Sequence, residues 1–435
     1  MKHIALLVAA LGLICLAFAP SRAAETEKNS GPVLTATTDR ADALYRRGET
    51  VTFVLQLQQG GKTAGKGEVE WTLTKDGVAP TRTGRVALDG GRATVTGTLD
   101  EAGFLQCRAV FQAGATKLTA LAGAGVSPTE IKPSQSVPAD FDAFWTEKKQ
   151  ALAAVPMNPQ LTPVKSPSTT VVTFDVQVES VGAPVSGYFS RPVGAKPGTL
   201  PAILTVHGAG VRSAGLGTAA GWAKEGAMAF DINAHGIPNG RDAAFYEALS
   251  QGELKDYRAI GKTSRDTVYF LGMFQRLIRA IDFLTAQPEW DGRTVVVSGS
   301  SQGGAQAIAA AGLDARVTFF AAGVPAMCDH TGALVGRIAG WPKFIATKEQ
   351  PAPEVVAAVR YYDAVNFATR AKAAGIFTVG FIDTTCPPTS VYAAYNALGT
   401  KKEIFHDIAA GHTNTPAASA AMRAAIVKHL AAMKR

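Results

Sequence analysis

The sequence predicts two architectures in series: a small all-β sandwich, then a doubly wound α/β domain with a mostly parallel sheet. Three observations carry this expectation. From about Gly31 to Val126, apolar residues alternate in short runs separated by Asp/Gly turns, the period of half-buried strands. After about Thr169 the runs become continuously apolar and are separated by stretches with helical spacing, as in a parallel sheet buried on both faces. Between the two regions, Ser127 to Asp140 (SPTEIKPSQSVPAD) is rich in Pro and Ser and reads as a linker. The expected division is a leader over 1–24, a sandwich over 25–126, a linker over 127–140 and an α/β domain over 141–435.

Composition agrees with an ordered protein of this size. The chain has 435 residues, 47% hydrophobic and 18% charged, enough for a large core and two domains. The formal net charge is +8, of which Lys2 and Arg22 lie in the leader. Basic residues are scattered rather than clustered, so no nucleic-acid partner is expected. Lys2-His3, the apolar Ile4 to Ala19 and the small residues around Ser21-Arg22-Ala23-Ala24 form a secretory signal, cleaved near Ala23 or Ala24. A retained anchor is the alternative; Cys15 follows Ile14 and lacks the small neighbour of a lipoprotein site. No other stretch is long and apolar enough to span a bilayer. The expected location is secreted or periplasmic, with no membrane contact after cleavage. Cys107, Cys328 and Cys386 then remain, an odd number that leaves at least one thiol unpaired or shared between chains. Cys328 and Cys386 each follow a predicted strand, so either a bridge in an oxidising compartment or buried free thiols would fit.

Taken in order, Val51 to Leu57, Gly67 to Thr74, Arg92 to Leu99 and Phe104 to Phe111 alternate, with turns at Lys75-Asp76-Gly77 and Asp89-Gly90-Gly91. Short strands at this spacing predict an immunoglobulin-like sandwich. It shows no catalytic cluster and reads as a spacer or packing module, with carbohydrate binding as the alternative. Trp71 would be the sugar platform in that case, but its place in the alternation with Val69 and Leu73 argues for core. Phe141 to Trp145 opens a short helix expected to pack on the second domain. Val171 to Val178 and Val185 to Phe189 are expected to pair antiparallel. The parallel strands follow at Ala202 to Val206, Ala227 to Ile232, Val295 to Val297, Val317 to Ala321, Phe377 to Ile382 and Lys402 to Phe405. Val268, Leu271, Phe274, Leu277, Ile278, Ile281 and Leu284 mark one face of a helix over 266–285. His235 to Arg265, with Tyr246 and Tyr257, is a long interval that reads as an insertion shaping a substrate pocket or an oligomer contact, with plain surface decoration as the alternative.

The chemistry begins at Thr294 to Arg316 (TVVVSGSSQGGAQAIAAAGLDAR), a strand, a sharp turn and a helix. Gly299-Ser300-Ser301-Gln302-Gly303 matches G-x-S-x-G, with Ser301 central. Such a turn exposes a nucleophilic serine above the sheet, and its glycines let strand and helix approach. A serine nucleophile needs a base and an orienting acid, and the α/β-hydrolase order is serine, acid, histidine. Among His330, His406, His412 and His429, only His412 sits in a small-residue loop after the last strand. Asp363 lies in or beside a helix, and Asp407 is too close to the base in sequence. Asp383 ends an apolar strand and heads the loop Thr384 to Pro388. The expected triad is Ser301, Asp383 and His412. The oxyanion donors are the Gln302 amide and one from the Leu204 to Gly210 segment (LTVHGAG), taken as Ala209. His207, His235, Tyr246 and Tyr257 are the candidate pocket residues, with His207 read as a structural hydrogen-bonder. Cys328-Asp329-His330 lacks partners at zinc-like spacing, so no metal is expected.

Several spaced segments together resemble the acetyl xylan esterase/cephalosporin C deacetylase family, carbohydrate esterase family 7. They are Asp140 to Trp145, Gly299 to Gly304 (GSSQGG), Leu313 to Val317, Val324 to Asp329, Asp383 to Thr389 (DTTCPPT) and Gly411-His412. The resemblance covers about Ser127 to Arg435. It implies an α/β-hydrolase fold, the same triad and oxyanion amides, no cofactor, and removal of acetyl groups from xylan fragments and related acetylated carbohydrates. Ala209 stands where the family usually has an aromatic residue. Asn233-Ala234-His235-Gly236 stands where it has an Arg-Gly-Gln segment. Both departures fall around the pocket, so the substrate and the homo-oligomeric state stay open. A serine peptidase of the same fold, or a non-catalytic carbohydrate-binding protein with a relict hydrolase domain, are the alternatives.

Overall fold

A computed structural model describes residues 31–434, apart from 61, 64 and 347–350. The leader expected over 1–24 lies outside the described residues. The larger part of the chain is built on a nine-stranded sheet. Its strands are β1 (Gln160–Val164), β2 (Val171–Val178), β3 (Val185–Pro192), β4 (Leu200–Val206), β5 (Met228–Ile232), β6 (Trp290–Ser300), β7 (Phe319–Gly323), β8 (Ala374–Gly380) and β9 (Lys402–Asp407). They lie in the order β1-β2-β3-β5-β4-β6-β7-β8-β9. The pairs from β1 through β3 to β5 are antiparallel, and every pair from β5 onward is parallel. The chain leaves β4 toward β5 on one side and returns to β6 on the other. That reversal opens a crevice at the carboxyl ends of β4 and β6, the usual place for a ligand in an open α/β sheet.

Alternation within the buried strands explains the two helical layers. Ala202, Leu204 and Val206 of β4, and Val295 and Val297 of β6, face one core. Helices Phe270–Thr285 and Gln302–Leu313 cover it with Phe274, Leu277, Ile281, Ala305 and Ile308. Ile203 and Val296 face the opposite core, covered by Trp222 of helix Leu216–Lys224 and by Met422 and Ile426 of helix Pro416–Met433. The fold is that of an α/β-hydrolase, a mixed sheet covered by helices on both faces.

The strand ends depart from the sequence expectation where turns intervene. β7 begins at Phe319 rather than Val317, because Val317 N closes a turn onto Asp314 O (3.2 Å). β8 runs Ala374–Gly380, so Phe381 and Ile382 have already left the ladder, donating to Asp407 O (3.3 Å) and Ala410 O (3.2 Å). The edge strand β1 was not anticipated. It is mostly exposed and contains Pro163, which suits an edge. The helix opened by Phe141 extends to Ala153.

Before this sheet, described residues 33–126 form two smaller sheets of four and five strands around a separate core that includes Phe53, Leu55, Val69, Leu73 and Leu105. Trp71 packs, partly buried, on that core. The five-stranded sheet is fastened to the segment just ahead of Asp383. Phe104 meets Phe381 edge-on at 5.0 Å. Gln106 Nε2 donates to Phe381 O (3.4 Å). A Cβ on Gly123 would lie 2.3 Å from that same carbonyl, so only glycine permits the approach. The Pro/Ser-rich segment is fastened too: Asn396 Nδ2 donates to Pro128 O (2.9 Å) and Ile131 O (2.8 Å). Among the described residues, no helix is long and apolar enough to cross a membrane.

Asp76 sits in this junction, 1% exposed, accepting from Thr389 Oγ1. Burial pushes its carboxyl up to about 7, against the pull of Lys75 and Arg337; Glu101 adds to the rise. The unfolded chain releases this proton near pH 4 and the folded chain keeps it to about 7. Stability therefore falls as pH rises through that window. Asp76→Asn keeps an acceptor for Thr389 without a charge. It is expected to flatten this slope and to exceed the wild type at pH 8 by at most about 4 kcal/mol, with little difference at pH 4, as read by thermal unfolding.

Candidate active site

β6 delivers Ser301 to the crevice on a strained turn. Its backbone has φ 57° and ψ −120°, a sparsely populated conformation for a residue with a Cβ, worth about 1–3 kcal/mol of strain. Neighbouring bonds enforce it. Ser301 N donates to Gly323 O (2.8 Å), and Ser301 O accepts from Ala305 N (3.1 Å) and Ala326 N (3.0 Å). The turn fits because its flanks lack side chains. A Cβ on Gly303 would lie 2.4 Å from Val206 O, and one on Gly299 would lie 2.5 Å from Gly303 O.

The three triad residues singled out in the sequence meet in one hydrogen-bonded chain. Ser301 Oγ lies 2.9 Å from His412 Nε2, and His412 Nδ1 lies 2.8 Å from Asp383 Oδ2. His412 comes from the loop between β9 and helix Pro416–Met433, and its side chain is 27% exposed, against 0% for Asp383. The other Asp383 oxygen accepts from the amides of Thr385 (2.7 Å) and Cys386 (2.9 Å). With one carboxylate oxygen held by those two amides, the other is aimed at His412 Nδ1, which turns Nε2 toward the serine hydroxyl.

The two backbone amides singled out in the sequence, those of Gln302 and Ala209, are both without a bond to the rest of the described chain. Gln302 is the first residue of its helix, so its N–H has no intrahelical acceptor. Ala209 also lines a cleft of about 360 Å³ with Leu254, Tyr257, Arg258 and Trp341.

The four candidate pocket residues separate into different roles. His207 is a strut: Nε2 accepts from Ala234 N (3.1 Å), Nδ1 bonds Gly208 O (2.6 Å), and burial lowers its pKa to about 3. Tyr246 is buried within the insertion, donating to Pro238 O (2.9 Å) and accepting from Arg241 N (3.2 Å). Tyr257 lies against the site, its hydroxyl donating to Gln302 Oε1 (2.6 Å). His235 is also buried, with Nε2 at 3.2 Å from Gly210 O and Nδ1 at 2.7 Å from Tyr269 Oη; burial lowers its pKa to about 4. The 235–265 interval is not an open loop but contains helix Ala243–Gln251, capped by Asp242 accepting from Phe245 N (2.9 Å).

Sequence reasoning missed other parts. Asn414 Nδ2 donates to Ser300 Oγ (2.6 Å) while its Oδ1 accepts from Thr378 Oγ1 (2.6 Å), tying the His412 loop to the serine turn and β8. Trp341 N donates to Thr385 O (2.7 Å), fastening the cleft wall to the acid loop. Cys386 is a buried thiol in the acid loop, and burial pushes its pKa well above the ordinary value. Cys107, Cys328 and Cys386 are all free and buried, so the structure contains no Cys328–Cys386 bridge. Potential ligand atoms of Asp383, Cys386 and His412 lie within 4.8 Å of one another, but a metal there would take the His412–Asp383 hydrogen bond. Cys328-Asp329-His330 does not converge: Asp329 pairs with Arg337 (2.6 Å) and His330 packs on Phe344.

Tyr257→Phe leaves the buried Gln302 oxygen without its donor. The expected cost is about 1–3 kcal/mol of stability, read by thermal unfolding, together with a lower kcat on an aryl acetate because the adjoining Gln302 amide loses its anchor.

The acetyl xylan esterase family model matches residues 128–430. The acetyl esterase Axe7A of Xylanibacter ruminicola is 33% identical over 373 residues, spanning 84% of this chain and 83% of its own. The solved acetyl xylan esterase from Paenibacillus sp. R4 is 28% identical with a TM-score of 0.61, covering 69% of this chain and 98% of its own. Acetyl xylan esterase 1 from Thermoanaerobacterium sp. JW/SL YS485, at 22% identity and a TM-score of 0.57, shares the fold over 68% of this chain and 96% of its own. The chain belongs to the acetyl xylan esterase family and is a carboxylic ester hydrolase.

Proposed function

We propose that this protein is a secreted serine esterase that removes acetyl groups from acetylated xylan, xylo-oligosaccharides or related sugars through an acetyl-enzyme. The observation that carries the mechanism is the unbroken chain from Ser301 Oγ through His412 to Asp383, at 2.9 and 2.8 Å. Family membership and the acetyl esterase relative support acetyl as the acyl group.

Ser301 Oγ attacks the acetyl carbonyl carbon while His412 Nε2 takes its proton. The carbonyl oxygen becomes an oxyanion facing the Ala209 and Gln302 amides, at the positive end of the Gln302–Leu313 helix. Asp383 fixes the imidazole and balances its charge. The tetrahedral species collapses, the C–O bond to the sugar breaks, and His412 protonates the departing hydroxyl. Water then repeats the sequence: His412 takes its proton, acetate forms, and the proton returns to Ser301. No cofactor enters any step. The reading includes export through the N-terminal leader and an accessory immunoglobulin-like module ahead of the catalytic domain.

Acetate release is measured across acetylated xylo-oligosaccharides, acetylated polysaccharides, other acetylated sugars and aryl acetates. The expected result is release from xylo-oligosaccharides, with Ser301→Ala lowering kcat on the order of 10⁴-fold or more and abolishing fluorophosphonate labelling. Release by Ser301→Ala at the wild-type rate would sink the proposal. So would activity confined to aryl acetates.

A further inference from the structure

Behind His235 lies a second cavity, of about 510 Å³. Its wall combines apolar Phe245 and Leu249 with polar His235, Glu253, Tyr269 and Arg276. Its size and mixed lining are those of a small-ligand site. None of these residues touches the reacting atoms.

Arg276 is the unusual member. It is 4% exposed, on helix Phe270–Thr285. Nη2 donates to Ala234 O (2.7 Å), and Nε is buried without a partner. Among the described residues, no carboxylate pairs with this guanidinium. Burial lowers its pKa only to about 10, so it stays charged at neutral pH. One turn on, Arg279 is buried as well, but its Nη2 serves Leu152 O (2.6 Å) and Val155 O (2.8 Å). Gly272, one turn before Arg276, also lines the cavity. A Cβ there would lie 3.3 Å from Arg276 Nη1, so the missing side chain leaves that edge of the guanidinium open to the cavity. A buried, unpaired cation beside an open space calls for an anion, and a guanidinium fork fits a carboxylate.

The rest of the wall narrows the ligand. Phe245 adds an aromatic ring to the wall, suited to a sugar ring. Glu253 accepts from hydroxyls and disfavours a multiply charged anion such as phosphate. His235 is uncharged at neutral pH. We propose that this cavity is a subsite for a uronate residue, its carboxylate pairing with Arg276, its ring against Phe245 and its hydroxyls donating to Glu253. The inference rests on the acetylated-xylan reading, since xylans carry glucuronate side groups. Leu254 lines both this cavity and the cleft at Ala209. His235 forms part of its wall and reaches Gly210 O of the oxyanion loop. The subsite reading places the acidic branch of an acetylated chain across the Leu254–His235 wall from the cleft at Ala209.

The test compares wild type and Arg276→Gln on acetylated xylo-oligosaccharides with and without a glucuronate branch. In parallel, Ser301→Ala protein is titrated calorimetrically with D-glucuronate, D-xylose and inorganic phosphate. The wild type is expected to favour the branched substrate by roughly tenfold in kcat/KM, through KM, the scale of one charge-assisted contact. In Arg276→Gln that ratio should fall to near one, and only glucuronate should bind the Ser301→Ala protein. Equal kcat/KM on both substrates in the wild type, no glucuronate binding, or phosphate binding as tightly as glucuronate would each overturn the assignment. If Arg276→Gln does not fold by circular dichroism, Glu253→Gln replaces it, and loss of the branched preference there supports the site while its retention overturns it. If neither oligosaccharide is deacetylated but an aryl acetate is, the functional reading fails, and the glucuronate titration alone decides the subsite.

Discussion

The backbone crossing at Ser301 is the constraint on which the rest depends. The helix after the serine must start within contact of the end of β4, because Gly303 packs on Val206 O and Gly299 on Gly303 O. That closeness holds Ser301 at φ 57° and starts the next helix at Gln302. Two glycines, two strand ends and one helix start form a single geometric solution. A methyl group on either glycine would push strand and helix apart and undo the turn.

Much of this was legible in the sequence, for a physical reason. Strands buried on both faces and a Gly-flanked serine leave strong local signals, so the fold class and the Ser301, Asp383, His412 arrangement could be read from runs and turns. What escaped depends on side chains meeting across long sequence distances. Asn414 tying Ser300 to Thr378, Trp341 bonding the acid loop and Arg276 standing unpaired have no local signature. The edge strand β1 escaped because it buries almost nothing and so shows no apolar period. Of the four pocket candidates, His207 is the structural hydrogen-bonder its sequence context suggested, and Tyr246 is a strut as well. Polarity in a loop marks a residue as needing partners, but not whether the partner is protein or ligand.

The segment bearing Asp383 is held from both directions. Its own amides at Thr385 and Cys386 supply one carboxylate oxygen, and His412 takes the other. Behind it, Phe104, Gln106 and Gly123 press on Phe381. The acid is thus rigid without any direct bond from the N-terminal strands to it.

The contact between Gln106 and Phe381 spans 275 positions of chain, and that between Asp76 and Thr389 spans 313. Pairings this distant form late, because a long loop must close before they contribute. The N-terminal sheets emerge first during synthesis yet find their docking face only when most of the chain is made. His412 follows later still. The order of emergence therefore keeps the hydrogen-bonded chain of Ser301, His412 and Asp383 incomplete until the last tenth of the polypeptide is available, and a nascent or truncated chain carries the serine turn without His412.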